Sequence, residues 1–562
     1  MANSPVNPYS LLAPRFPRKQ QIVFLTLLLL LLPLDVSAFR RERVVDSWRP
    51  LHYAVNIKLS DNLTEIADAR TEIKAHALKT VTLIDLDFGD MAIDSVMVDY
   101  QVVKFDHRAG ILRLKLPEAK PRDSRFTILV VYHGKPRDGL ILTADKDGKP
   151  SAIGDNWPDR VHNWIPCLDH PSAKATVNFT VTVPEQNIVV ANGALDRVET
   201  IGKGLRTWSF SEKVPIPPYC MIIAVGQFAT LDGGKPGSIP LTFYVPSSDR
   251  KYAPKGFSPA GPALKFFSQT VAPYPYEKLA LIVGATRFGG MENSSAIVFA
   301  STLFAPNPSA RLSRTFGTRI GIVDVVSHEI AHQWFGDSVT ESTWADLWLS
   351  EGFATYFAAL FIQRFDGDQA FQDYMKQAAE TYFRYEQHSK TPIFDRDTED
   401  LMKLLNPNNY QKGAWVLHML RVILGDDAFF RGIRDYYDSH KSGNASSEDL
   451  RAALEKSSGQ NLKDFFASWV YGTGHPHYEV TWKWKKGELV VTLRQLQPEA
   501  VFSNPVPIEV TTATGKQRFT LSPRTRETVE RFPLSVDPVG VDIDPNNTVL
   551  KEISLKTQRQ VN

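Results

Sequence analysis

The chain has 562 residues, 43% apolar and 22% charged. That length exceeds one hydrophobic core and predicts about three or four domains. Lys and Arg number 64 against 62 Asp and Glu, a balance that excludes the basic footprint of a nucleic-acid binder and the polybasic surface of a peripheral membrane protein. With Cys167 and Cys220 alone, a disulfide-built scaffold is also excluded, while one bridge or two buried thiols both stay open.

In chain order, Arg15, Arg18 and Lys19 precede an apolar run from Ile22 to Leu34, and Val36-Ser37-Ala38 follow. Positive flank, short apolar run and small-residue site predict a signal peptide over 1–38, cut after Ala38. The run falls short of the roughly 20 residues that a spanning helix needs, and Pro33 and Asp35 interrupt its end. The expected location is secreted or periplasmic, with no stable membrane span after cleavage. The alternative is anchoring through the uncleaved segment.

A β-rich domain is expected over 39–236. Tyr53, Val55, Ile57 and Leu59 alternate with polar or small residues, as do Val177, Phe179, Val181 and Val183, and Leu112, Leu114 and Leu116. Period two over such lengths predicts half-buried strands in antiparallel sheets. A mainly helical domain is expected over 237–475. Ile320, Val323 and Ile330 share a stripe, and Leu347, Phe353, Tyr356 and Phe357 form a second. Ala414 to Leu424 gives a third helix stopped by Gly425, and Ser446 with Asp449 predicts a capped helix start. Over 476–562 the pattern returns to strands. Tyr478, Val480, Trp482 and Trp484 alternate, Lys486-Gly487 turns, and Leu489, Val491 and Leu493 alternate again. That predicts a hairpin opening a small β-sandwich. The fold class is multidomain α+β.

The chemistry sits on the helical segment. In His328-Glu329-Ile330-Ala331-His332 the two histidines lie four apart, one above the other on a helix face, so both can offer nitrogen to one metal ion. Glu329, one position round the helix, can reach a water without ligating the metal. Glu351, in Trp348-Leu349-Ser350-Glu351-Gly352-Phe353-Ala354 on the next helix, is the candidate third ligand. Two imidazoles and one carboxylate leave a fourth position open, as in catalytic zinc sites. One zinc ion is therefore expected. Asp337 and Asp346 are the nearest carboxylates in sequence to orient the ligand imidazoles.

These motifs resemble the gluzincin aminopeptidases, the alanyl aminopeptidase and leukotriene-A hydrolase family of peptidase clan MA, in a short bacterial-type form. Gly289-Gly290-Met291-Glu292-Asn293 is similar to that family's G-x-M-E-N segment, and Tyr410-Gln411-Lys412-Gly413-Ala414 to its Y-x-K-G-A segment. The resemblance implies a thermolysin-like catalytic domain and hydrolysis of the first peptide bond of substrates with a free amino terminus. It implies Glu329 as general base, Tyr410 as oxyanion donor, and Glu292 as the docking point for the substrate ammonium. Gly289, Gly290, Met291 and Asn293 would bind substrate beside Glu292. The chain departs from the family near Cys167. Trp157 stands where a second amine-binding acid or amide is usual, and Asp169-His170-Pro171 replaces Asp-Glu-Pro. Asp155 or Asp159 could substitute, with Trp157 packing a loop. Larger members add a helical domain after the C-terminal β-segment, so the resemblance implies a more open site here. The alternatives are a zinc hydrolase of a non-peptide substrate such as an epoxide, or an inactive binding scaffold.

Overall fold

The computed structural model describes residues 42–555 apart from Lys486. The expected signal peptide over 1–38 lies outside the described residues, as does the first half of the Lys486-Gly487 turn. The three-part α+β layout is observed. An eight-stranded sheet organises the N-terminal part. Trp48–Leu59 runs antiparallel to Ile66–Ala77 on one side and parallel to Ala175–Pro184 on the other, so the sheet is not wholly antiparallel. Tyr53, Val55, Ile57 and Leu59 are all buried, as their alternation requires. Cys167 and Cys220 are buried free thiols.

A five-stranded mixed sheet follows, and its pairing crosses the expected boundary at 237. Ala229–Asp232 pairs antiparallel with Leu241–Val245, which continues in parallel to Leu279–Gly284 and Ala296–Ala300. The short strand Gly290–Met291 closes one edge, antiparallel to Ala296–Ala300. A strand before the boundary and one after it share a ladder because a turn of Gly and Pro residues, not a linker, joins them.

Helices Ile320–His332, Trp348–Asp366 and Gly413–Leu424 build the centre of the helical part. Every residue from Trp348 to Ile362 is buried, so this helix is enclosed on all sides rather than amphipathic. Gly425 (φ 76°) ends Gly413–Leu424, and Ser446 with Asp449 forms a complete capping box before Ser447–Ser458. The C-terminal part is a four-stranded and a three-stranded sheet. Their facing residues, including Tyr478, Val480, Leu489, Ile508 and Val510, make a core of their own. Among the described residues no helix is long and apolar enough to cross a membrane.

One contact ties the β-rich part to the loop that ends the His328 helix. Lys174 donates to the carbonyls of Asp337, Ser338 and Gly443, each at 2.8 Å. Replacing Lys174, whose amine burial pushes down to about 7, with Met removes three buried hydrogen bonds at once, each contributing about 1 kcal/mol net. Lys174→Met is expected to lower stability by on the order of 3 kcal/mol, read as a shifted urea midpoint; an unchanged midpoint would refute the clamp.

Candidate active site

His328 and His332 project from one face of helix Ile320–His332, and Glu351 comes from the first turn of Trp348–Asp366. Their ligand atoms converge. His328 Nε2 and His332 Nε2 are 3.0 Å apart, and each lies 3.3 Å from Glu351 Oε2. Ligand atoms on a tetrahedron with bonds of about 2.1 Å stand about 3.4 Å apart, so these three can share one divalent ion. His332 Nδ1 faces the Phe335 carbonyl at 3.1 Å and Ser350 Oγ at 3.0 Å, contacts that aim Nε2 inward.

The expected orienting carboxylates are engaged elsewhere. Asp337 accepts from Cys220 Sγ at 3.3 Å and Gln333 Nε2 at 2.8 Å. Asp346 accepts from the backbone and hydroxyl of Ser447 at 2.9 and 2.7 Å. Neither hydrogen-bonds an imidazole, because the chain turns at Gly336 and carries both side chains away. Asp324, one helical turn before His328, borders the cavity instead and is held by the Tyr374 hydroxyl at 2.9 Å.

A cavity of about 320 Å³ opens over the three ligands, lined also by Gly289, Gly290, Met291, Glu292, Glu329 and Tyr410. Asn293 is the exception among the expected substrate-binding residues. It is fully buried, does not border the cavity, and turns its amide back to the Met291 carbonyl at 3.3 Å. A Cβ on Gly290 would overlap the Glu329 carboxylate, so any larger residue there displaces that side chain. Glu292 is fixed through its backbone. Gln333 Nε2 donates to the Glu292 carbonyl at 2.7 Å, and Gln333 Oε1 accepts from the Ser295 backbone at 2.8 Å. Gln333 thus ties the edge strand to the His328 helix.

Tyr410 lies in a π-helical turn, Asn408–Lys412, a rare form often found at functional sites. Its hydroxyl donates to Glu351 Oε1 at 2.7 Å, and its ring stacks on His328 at 5.9 Å. The contact depends on two glycines. A Cβ on Gly413 would come within 2.9 Å of the Gly352 Cα, so only a glycine pair lets these segments approach so closely. Trp157 also lines the cavity, edge-on to Phe288 with ring centres 6.1 Å apart. Asp155 and Asp159 do not border it, and Asp155 is held by Arg160 at 3.0 Å and Thr286 at 3.1 Å.

The electrostatics are dominated by crowded acid groups. Burial, then the nearby Glu351, pushes the Glu292 carboxyl up to about 7 although His332 opposes it. Burial raises Glu329 well above the carboxylate range, with Glu292 and Glu351 adding to the effect. Burial opposes a charge on His332, but Glu351, Glu292 and Glu329 together push it up to about 10. Glu351 moves the other way. Its two imidazole neighbours overcome burial and hold it well below its ordinary value. The cavity therefore favours a concentrated positive charge beside Glu351 and further positive charge near Glu292.

The Peptidase family M1 domain matches residues 258–469, and the Peptidase M1 N-terminal domain matches residues 49–220. The chain is 27% identical to a probable aminopeptidase 1 of Saccharolobus solfataricus over 70% of this chain and 50% of that protein. It is 28% identical to a leucyl aminopeptidase of the same organism, over 69% of this chain and 48% of that protein. A glutamyl aminopeptidase of Rattus norvegicus is 27% identical over 64% of this chain and 39% of that protein. The chain spans half or less of the length of these relatives. The two family matches account for the β-rich domain and the helices that carry the site, and by both the chain belongs to peptidase family M1.

Proposed function

We propose that the chain is a zinc-dependent aminopeptidase that hydrolyses the first peptide bond of substrates with a free amino end. The observation that carries this reading is the placement of Glu292 in the same cavity as the His328, His332 and Glu351 ligand atoms. Those residues fit zinc by donor type, by spacing, and by the anchoring of His332 Nδ1. When bound, zinc supplies Lewis acidity and lowers the pKa of water toward about 7.

The remaining chemistry belongs to the chain. A free amino end has a pKa of about 7.7–8.0 and is largely cationic at neutral pH, so Glu292 selects it over peptide interiors. The Gly290–Met291 strand is the edge of its sheet, where an extended substrate pairs as an added strand. Glu329 takes the proton of the attacking water and passes it to the leaving amine. Tyr410 turns its O–H from Glu351 to the developing alkoxide, a bond stronger in the transition state than in the ground state. Trp157 and Phe288 form an aromatic wall. The names of the compared relatives support the class, although leucyl and glutamyl together do not single out a first residue. Export through residues 1–38 is part of the proposal and rests on sequence pattern alone.

Glu329→Gln is expected to keep its zinc and lose turnover by at least about 10²-fold. Retained turnover in metal-loaded protein would remove the general-base role. Tyr410→Phe is expected to lower kcat by about 10²–10³-fold at unchanged zinc content; a parallel loss of zinc would assign the hydroxyl to holding Glu351 instead. Acetylating the amino end of a good peptide substrate is expected to abolish cleavage. Equal rates on blocked and free peptides would make the enzyme an endopeptidase.

A further inference from the structure

A second convergence of ligand atoms lies outside the cavity, where the helical part meets the C-terminal sheets. His475 belongs to the connecting segment after Gly474, and His477 opens strand His477–Lys485. Glu552 opens strand Glu552–Leu555, and parallel pairing sets it directly beside His477. Glu552 Oε2 is 3.0 Å from His477 Nε2 and 3.4 Å from His475 Nε2. These separations match those among His328, His332 and Glu351, and both fit a tetrahedral edge of about 3.4 Å. All three ligand atoms lie within 4.8 Å of one another.

The surroundings of His475 sharpen the comparison. Its side chain is 3% exposed, stacked on Phe383 at 4.3 Å and set edge-on to Tyr382 at 5.8 Å. Its Nδ1 hydrogen-bonds Glu386, the last residue of helix Asp368–Glu386. A carboxylate on one ring nitrogen is the usual support of an imidazole that ligates a metal through the other. That other nitrogen, Nε2, is buried and has no hydrogen-bond partner. This Nε2 faces the Glu552 carboxylate at 3.4 Å, a placement in which one ion can take both as ligands.

The nearby cations are Lys390, already paired with Glu386 at 3.0 Å and Glu499 at 3.1 Å, and the buried Lys412 over the Tyr382 ring. The outer side is open, with His477 44% and Glu552 49% exposed, which leaves room for water as a fourth ligand.

We propose that His475, His477 and Glu552 form a second binding site for a borderline divalent metal ion, zinc above all, pinning the C-terminal sheets to helix Asp368–Glu386. Two imidazoles and one carboxylate select zinc, nickel or copper over calcium and magnesium, which prefer all-oxygen shells. The site stands apart from the proposed active site, none of whose cavity residues takes part in it.

The test is metal counting on the untagged full chain, stripped with chelator, refilled with zinc and desalted. The expected content is about two zinc ions per chain in the wild type. It falls by about one in His477→Ala, by about one in Glu552→Gln, and by about one in His332→Ala. Zinc added to stripped His332→Ala protein should raise its unfolding temperature, and adding Glu552→Gln to that variant should remove the rise. A zinc content unmoved by both His477→Ala and Glu552→Gln, with no thermal shift in His332→Ala, overturns the proposal and leaves His475 as a protonated clamp between Glu386 and Glu552. Failure of the active-site reading would look different, since His332→Ala would then leave the zinc content unchanged while His477→Ala still lowered it.

Discussion

Three carboxylates, Glu292, Glu329 and Glu351, are buried against two imidazoles in one small cavity, and most of the surrounding architecture answers the strain among them. Buried like charges repel strongly in a low-dielectric interior. Two arrangements relieve this crowding. Glu351 stays ionised because His328 and His332 stand against it. Glu292 and Glu329 are pushed toward their neutral forms, held ready for a positive charge. In the proposed reading, a divalent ion and a substrate ammonium supply the positive charge that this cavity lacks.

The supports of that cavity come from all along the chain. Gln333 ties the Glu292 segment to the His328 helix. Gly352 and Gly413 let two helical segments touch so that Tyr410 reaches Glu351. Lys174 braces the loop that carries the Phe335 carbonyl and Gly336 past His332. Each is a positioning contact with no direct access to a reacting bond. Together they explain why a site of few residues needs a β-rich domain and a helical one.

The strand pattern in Trp48–Leu59 and Ala175–Pro184, the stop at Gly425 and the cap at Ser446 were legible because each depends on local spacing or a local backbone preference. The shared helix face of His328 and His332 was legible for a related reason, since helical periodicity sets it, whereas Glu351 comes from the next helix and is brought beside them by packing. Other features depend on contacts between distant segments, which no window of sequence contains. Strand Ala229–Asp232 joins a sheet beyond the expected boundary. Ser350 and the Phe335 carbonyl orient His332 where Asp337 and Asp346 were expected to act. Trp157 packs against Phe288 and Trp344 and also borders the cavity. Gln333 was the one hidden support with a sequence signal, an amide directly after the second histidine of the motif. The His475, His477 and Glu552 cluster was invisible for the plainest reason: its third member lies on the last described strand, brought in by sheet pairing.

The central claim is that His328, His332 and Glu351 grip a single zinc ion beside Glu292. Anomalous diffraction collected on both sides of the zinc edge, from crystals of the active protein, tests it most directly. The account predicts an edge-dependent peak within about 2.0–2.2 Å of His328 Nε2, His332 Nε2 and a Glu351 oxygen. Crystals of demonstrably active protein with no peak among those three side chains would contradict it.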